Sequence, residues 1–344
     1  MRWHDELKAD PLPWLLEADE ENPGVRYFAL RDLLDKSEEE GEVRAAQAAV
    51  MQSGHVPRFL EGQEEDGFWV EPGAGYSPKY RSTSWSLIFL AQLGADGQHT
   101  ALRKAGEYVL EHSRSPRGSF STSGNNSGNI HCLQGNLAAA LIDFGWLGDK
   151  RLDEAIEWLA RSITGRDIGA NDDKEAEVRY LRTGNTAPGF ACSSNWNLPC
   201  AWGAIKALLA LSRIPSGQRS IDVVAAIEMG KDFLLARDPS LADYPAGEGN
   251  KPSNNWFKFG FPVGYVTDVL QNLEVLTELG LGSDERLHNA LNLLLSKQDE
   301  RGRWKLEYSY TGKTWSDIEE HGKPSKWVTL RAARVLKRVA EQAI

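Results

Sequence analysis

The chain has 344 residues, 41% hydrophobic and 26% charged, and its net charge of −10 excludes a surface built for nucleic acid. Residues 1–14 carry Asp5, Glu6 and Asp10 where a secretory leader needs an unbroken apolar run, and no later run approaches a membrane span, which implies a cytoplasmic protein with no membrane span. Three cysteines, an odd number, suit a reducing compartment better than a disulfide framework.

In chain order, a short segment over 12–18 comes first, and a helix is predicted over 24–35 after Asn22-Pro23, with a partner over 40–52. A second pair follows: an apolar helix over 83–93 stopped by Gly94, then 101–111 with Leu102, Ala105 and Val109 on one face. A third runs from Cys132 to Gly145, followed by Leu152, Ala155, Ile156 and Leu159 at helical spacing. Helices over 200–213 and 221–236 form the fourth pair, and 263–279 with 285–297 the fifth. A last helix over 326–341 has no partner after it, and its basic residues Arg331, Arg334, Lys337 and Arg338 read as a solvated helix end.

In each pair the first helix is apolar on nearly every side and the second striped on one face. About six such hairpins fit a single all-α domain over 1–344, an α/α toroid of (α/α)6 type with an inner ring of helices inside an outer one. An open solenoid is the alternative, but it needs polar capping repeats at both ends, and none is visible.

Two loops share one form, Gln63-Glu64-Glu65-Asp66-Gly67-Phe68-Trp69 and Gln298-Asp299-Glu300-Arg301-Gly302-Arg303-Trp304, and a degenerate version ends at Gly118-Ser119-Phe120. In these loops the chain resembles the terpenoid cyclase and protein prenyltransferase superfamily, whose Gln-to-Trp loops join the repeats of an α/α toroid. The loops themselves read as repeat-stabilising turns. The resemblance implies an apolar, isoprenoid-like small-molecule substrate in a central aromatic-lined cavity. The acidic Asp-x-Asp-Asp motif of squalene-type cyclases is missing; the nearest acidic run, Asn171-Asp172-Asp173, reads as a solvated loop.

Cys132 and Cys200 open successive inner helices, and thiolate with imidazole is zinc chemistry, so Cys132, Cys200, Cys192 and His131 are candidate ligands for zinc. The resemblance adds that prenyltransferases and lanthionine cyclases hold zinc near such helix starts. Asp268, placed inside an apolar helix, must be paired or functional, and with Tyr265, Asp317 and His321 it forms the candidate catalytic set. Arg81, Trp85, Asn136, Trp196, Trp202, Trp256, Phe261, Trp315 and Trp327 are the candidate substrate-binding residues, cluster near inner-helix starts, and include faces suited to apolar or cationic groups. Three functions stay open: a terpenoid-cyclase-like or prenyltransferase-like enzyme (cyclase, lyase or transferase), a zinc-dependent thiol-processing enzyme, and a non-catalytic toroid binding protein.

Overall fold

The computed structural model describes residues 3–169, 173–176, 178–179, 188–247 and 253–343. The helices are α1 (Leu12–Leu15), α2 (Pro23–Phe28), α3 (Gly41–Gln52), α4 (His55–Leu60), α5 (Thr83–Gln92), α6 (Thr100–His112), α7 (His131–Asp143), α8 (Lys150–Thr164), α9 (Ala201–Ser212), α10 (Ile221–Leu235), α11 (Val269–Glu278), α12 (His288–Ser296) and α13 (Lys326–Gln342). A π-helical turn, Ala29–Leu33, prolongs α2. Among the described residues the strands are β1 (Ala191–Cys192) and β2 (Leu198–Pro199), an antiparallel pair. The fold is all-α.

The two kinds of helix follow from their side chains. In α5 every residue from Thr83 to Ala91 is buried, so it has no wet face. Helix α8 instead buries Leu152, Ala155, Ile156 and Leu159 and leaves its other face polar; Asp149 accepts the Arg151 N–H at its start, and Gly165 closes it with φ 78°. Helices of the first kind are neighbours in chain order: α5 packs on α7, α7 on α9, α9 on α11, α11 on α13, and α13 on α2. Gly24 of α2 lies against the Leu93 carbonyl just past α5. The α7–α9 approach is the tightest, since a Cβ on Gly135 would collide with the Lys206 carbonyl.

The two Gln-to-Trp loops are built alike. Trp69 Nε1 donates to the Phe59 carbonyl at 2.7 Å and Trp304 Nε1 to that of Leu294 at 2.8 Å, while their backbone N–H groups bond Thr83 and Thr329 on the next apolar helix. The degenerate loop repeats the ladder, with Arg114 bridging Phe120 as Gln63 bridges Trp69. Each indole thus ties one hairpin to the following one. At the chain start, the Lys8 N–H bonds Gln298 Oε1, and the Trp14 ring lies 4.0 Å from the Arg303 guanidinium, so the first segment lies along the last repeat. No helix among the described residues is long and apolar enough to cross a membrane.

One predicted helix is corrected. The sequence expects helix from residue 263, but α11 begins at Val269, and residues 260–268 form an irregular, bent strut. The run Phe261-Pro262-Val263 is apolar because it is buried in the middle of the molecule, not because it is helical.

Candidate functional site

The strut is held by side chains of several helices. Gln92 of α5 pairs with Val263 in both directions, donating to its carbonyl at 2.8 Å and accepting its N–H at 2.7 Å. Asn136 of α7 donates to the Gly264 carbonyl at 3.1 Å, and the Tyr310 hydroxyl accepts the Tyr265 N–H at 2.8 Å. Phe261 stacks on Trp327 of α13 with ring centroids 4.3 Å apart. These bonds satisfy backbone groups of a largely buried segment that has no helical or sheet partner of its own.

Beneath this roof lies a chamber of about 610 Å³ to which α2 with its π-turn, α5, α7, α9, α11 and α13 all contribute. Its lining is divided. Ile88, Ala91, Ala139, Ala140, Phe144 and Leu209 form an apolar strip on α5, on α7 and just past it, and on α9, interrupted by Gln92, Asn136 and Asp143; Glu274, Glu278, Arg331, Arg334, Arg338, Arg31 and Asp32 make the rest of the lining mainly polar.

The charged wall is a paired network. Arg331 meets Glu274 at 2.6 Å and Asp268 at 3.3 Å, Arg338 meets Glu278 at 3.1 Å, and Arg334 and Arg31 share Asp32. Burial works against the Asp32 carboxylate, but Arg334 and Arg31 outweigh it and hold its pKa at about 2. The expectation of a solvated end at Arg331, Arg334, Lys337 and Arg338 is therefore overturned for Arg331, Arg334 and Lys337: Arg331 and Lys337 are buried, and Arg334 is only 19% exposed along its side chain. An unpaired charge there would be costly, so each has an acidic partner from another element.

Asp143 and Arg213 sit where the strip meets the charged lining. Arg213 Nη1 is 3.3 Å from Asp143 and 3.9 Å from Glu278, and its Nε is buried with no hydrogen-bond partner. Desolvation by the surrounding protein raises the Asp143 carboxyl, with Arg213 opposing the shift and Glu278 adding to it, although about a third of the side chain (34%) stays open to solvent at the chamber's edge. A carboxyl so placed keeps a proton to higher pH than a solvated one and can give it to a bound molecule.

Of the candidate substrate-binding residues, Asn136 and Phe261 line the chamber. Trp85 packs with Tyr76, Tyr80 and Tyr265 on the far side of the roof. Trp256 donates to the Pro239 carbonyl, Trp327 to Asn22, and Trp315 to the carbonyl of Arg81, whose guanidinium lies 5.7 Å from the Trp315 ring. Trp202 is half-buried and Trp196 is 69% exposed. The chamber's own aromatic rings are Tyr27, Phe28, Phe144 and Phe261.

The candidate catalytic residues are engaged separately. Asp268 is not inside a helix but caps α11, accepting the Gln271 N–H at 2.7 Å and the Gly260 N–H at 3.0 Å besides its ion pair with Arg331. Tyr265 faces Lys79, whose ammonium is 4.6 Å from the ring, and burial raises its hydroxyl pKa. Asp317 accepts the Gly312 N–H in an exposed turn, and His321 contacts the Glu307 carbonyl at 3.0 Å. Asn171 and Asp172 lie outside the described residues, while Asp173 accepts the backbone N–H groups of Glu175 and Ala176.

Of the candidate zinc ligands, His131 is drawn away from the cysteines. His131 turns outward to Ser162 of α8 at 3.1 Å and packs on Phe190, and among the described residues no three His, Cys, Asp or Glu side chains are placed to hold a metal ion. The set therefore does not fit zinc as expected. Cys132 is buried, its thiol pushed up to about 12 by burial, while Cys192 on β1 and Cys200, which caps α9, are half-buried and free.

Sequence reasoning missed Arg31, Asp32, Asp143, Arg213, Glu274 and Glu278. A signal existed in the spacing of Arg331, Arg334 and Arg338, which share one helical face, and of Glu274 and Glu278 one turn apart.

No family model matches the chain, nor does any curated protein sequence. Among solved structures it is similar to apo type II terpene cyclase MstE from Scytonema, at 15% identity over 83% of this chain and 96% of that one, with a TM-score of 0.32. A variant of the same enzyme bound to its substrate geranylgeranyl dihydroxybenzoate matches at 16% identity over 83% and 95%, TM-score 0.33. Another variant, bound to the product merosterolic acid A, matches at 15% identity over 84% and 95%, TM-score 0.34.

Proposed function

We propose that this chain is a terpenoid-cyclase-like α/α toroid, a single domain over 1–344, and an enzyme acting on an amphiphilic small molecule in the roofed chamber. The order of helix neighbours, with α13 returning to α2, supports the ring. The observation that carries the function is the divided chamber with Asp143 at its seam. A volume of about 610 Å³ suits a compact ligand, the apolar strip an isoprenoid-like body, and the ionic lining a polar head.

In this reading Asp143 is the proton donor. Its carboxyl gives a proton to an alkene or oxygen of the substrate, and Arg213 stabilises the carboxylate left behind at 3.3 Å. Phe144 borders the apolar part of the chamber, while the Phe28 face is taken by Arg31 and Arg334 and Phe261 stacks on Trp327. A second reading, binding without chemistry, is favoured by the pairing already present along the charged wall.

The test uses geranylgeranyl dihydroxybenzoate, the substrate of the similar cyclase, as probe. Mass spectrometry and chromatography should show an isomer of unchanged mass, and Asp143→Asn should abolish its formation while the probe still binds. Binding with no turnover by the unaltered protein selects the second reading. Failure of the probe to bind, or turnover unaffected by Asp143→Asn, refutes the proposal.

A further inference from the structure

The hairpin that leads into α9 holds two thiols the proposed reaction does not use. In the β1–β2 register Cys192 stands opposite Leu198, so Cys200, two residues further on, shares its face as a diagonal neighbour. The Cys200 N–H bonds the Phe190 carbonyl at 2.9 Å and the Asn197 N–H the Cys192 carbonyl at 2.8 Å, which fixes both ends of the ladder. Asn195 ties the turn down, donating to the Pro199 carbonyl at 3.0 Å and the Pro245 carbonyl at 2.9 Å. The two thiols interact directly, and the backbone N–H groups of Ser194 and Asn195 and the Ser194 hydroxyl also turn towards the Cys192 sulfur. Donors in that number favour an anionic sulfur and, after oxidation, an anionic oxygen on it. Both cysteines are open to small solutes, whereas Cys132 is buried.

We propose that Cys192 and Cys200 are an oxidisable dithiol, with Cys192 attacking hydrogen peroxide and Cys200 closing a disulfide. The Cys192 sulfur attacks one peroxide oxygen: the O–O bond breaks, an S–O bond forms, and the other oxygen leaves as hydroxide, taking up a proton as water. Peroxide is reduced and Cys192 becomes a sulfenic acid. The Cys200 sulfur then attacks Cys192, the S–O bond breaks, an S–S bond forms, and a second water leaves. The sum is two thiols and one peroxide giving one disulfide and two waters. Disulfides span about 4.4–6.8 Å between Cα atoms while ladder diagonals run to about 7–8 Å, so oxidation draws the strands together. Because Cys200 caps α9, the pull reaches the helix whose next turns carry Trp202 and Lys206.

The test is peptide mapping of the full chain after treatment with about one equivalent of hydrogen peroxide. The expected product has lost two hydrogen masses and joins Cys192 to Cys200, and dithiothreitol restores the starting mass. In Cys200→Ser, Cys192 should instead gain one oxygen and be trapped by dimedone; in Cys192→Ser neither product should form. Unoxidised Cys192 in the treated wild-type chain, or first oxidation at Cys132, overturns the proposal, and neither variant need fold for that wild-type result to be read.

Discussion

Lys206→Met should make the protein more stable at neutral and mildly acidic pH, against the usual cost of altering a core residue. Lys206 lies within α9 with no exposed surface, and its ammonium donates to Gln271 Oε1, leaving hydrogens that a core cannot solvate. Burial lowers its pKa from 10.5 to about 7; Cys132 and Asp268 pull the other way, and Arg331 adds to the fall. A folded state that binds the proton less tightly than the unfolded chain loses stability as pH falls through that window. The full loss below pH 7 is about 5 kcal/mol. Methionine keeps the unbranched stem and removes the charge, while Gln271, which also borders the chamber, gives up one hydrogen bond worth about 1 kcal/mol. With partial repacking costing about another 1 kcal/mol, the net gain should be about 3 kcal/mol near pH 6, cross zero near about pH 9, and become a net cost of about 2 kcal/mol above about pH 10. Urea unfolding followed by tryptophan fluorescence at several pH values measures it. A substitution effect that does not vary with pH, or a destabilised variant near pH 6, would refute the reasoning.

Two further expectations concern other buried charges. Burial pushes the Glu319 carboxyl from 4.5 up to about 7, while it accepts hydrogen bonds from Ser325 and the Lys326 N–H. The folded chain then holds that proton more tightly than the unfolded one, so this contribution is complete below pH 4.5 and falls by about 3 kcal/mol as pH rises through 7; Glu319→Gln should flatten that part of the stability profile, and an unchanged slope in the variant would count against it. Arg331→Leu leaves Asp268 and Glu274 buried without their cation and should cost about 3–5 kcal/mol in chemical denaturation, whereas a loss below about 1 kcal/mol would mean the network is solvated.

Much of the helical architecture was legible because it is written in local periodicity. The all-round burial of α5 and the single stripe of α8 can be read from neighbours three and four residues apart. The strut was not, because an apolar run carries no mark that separates a buried helix from an irregular segment crossing the centre. The cap could have been found: Asp268 stands three residues before Gln271, the spacing of a helix start, with Gly260, Pro262 and Gly264 upstream. The charged wall was hidden for a different reason, since the partners of Arg331 and Arg334 lie on α11 and beside α2, and no local pattern reports a distant acid. Helix-start cysteines pointed to a shared metal, but sequence gives a residue's position along a helix more readily than its angle around it, and His131 faces outward.

The strut gives the chamber a boundary that is fastened rather than merely packed. With Val263 and Gly264 clamped to α5 and α7 and Phe261 stacked on α13, three helices hold one short segment at once. A change at Gln92 or Asn136 would therefore be felt on that side of the chamber before it is felt along any single helix.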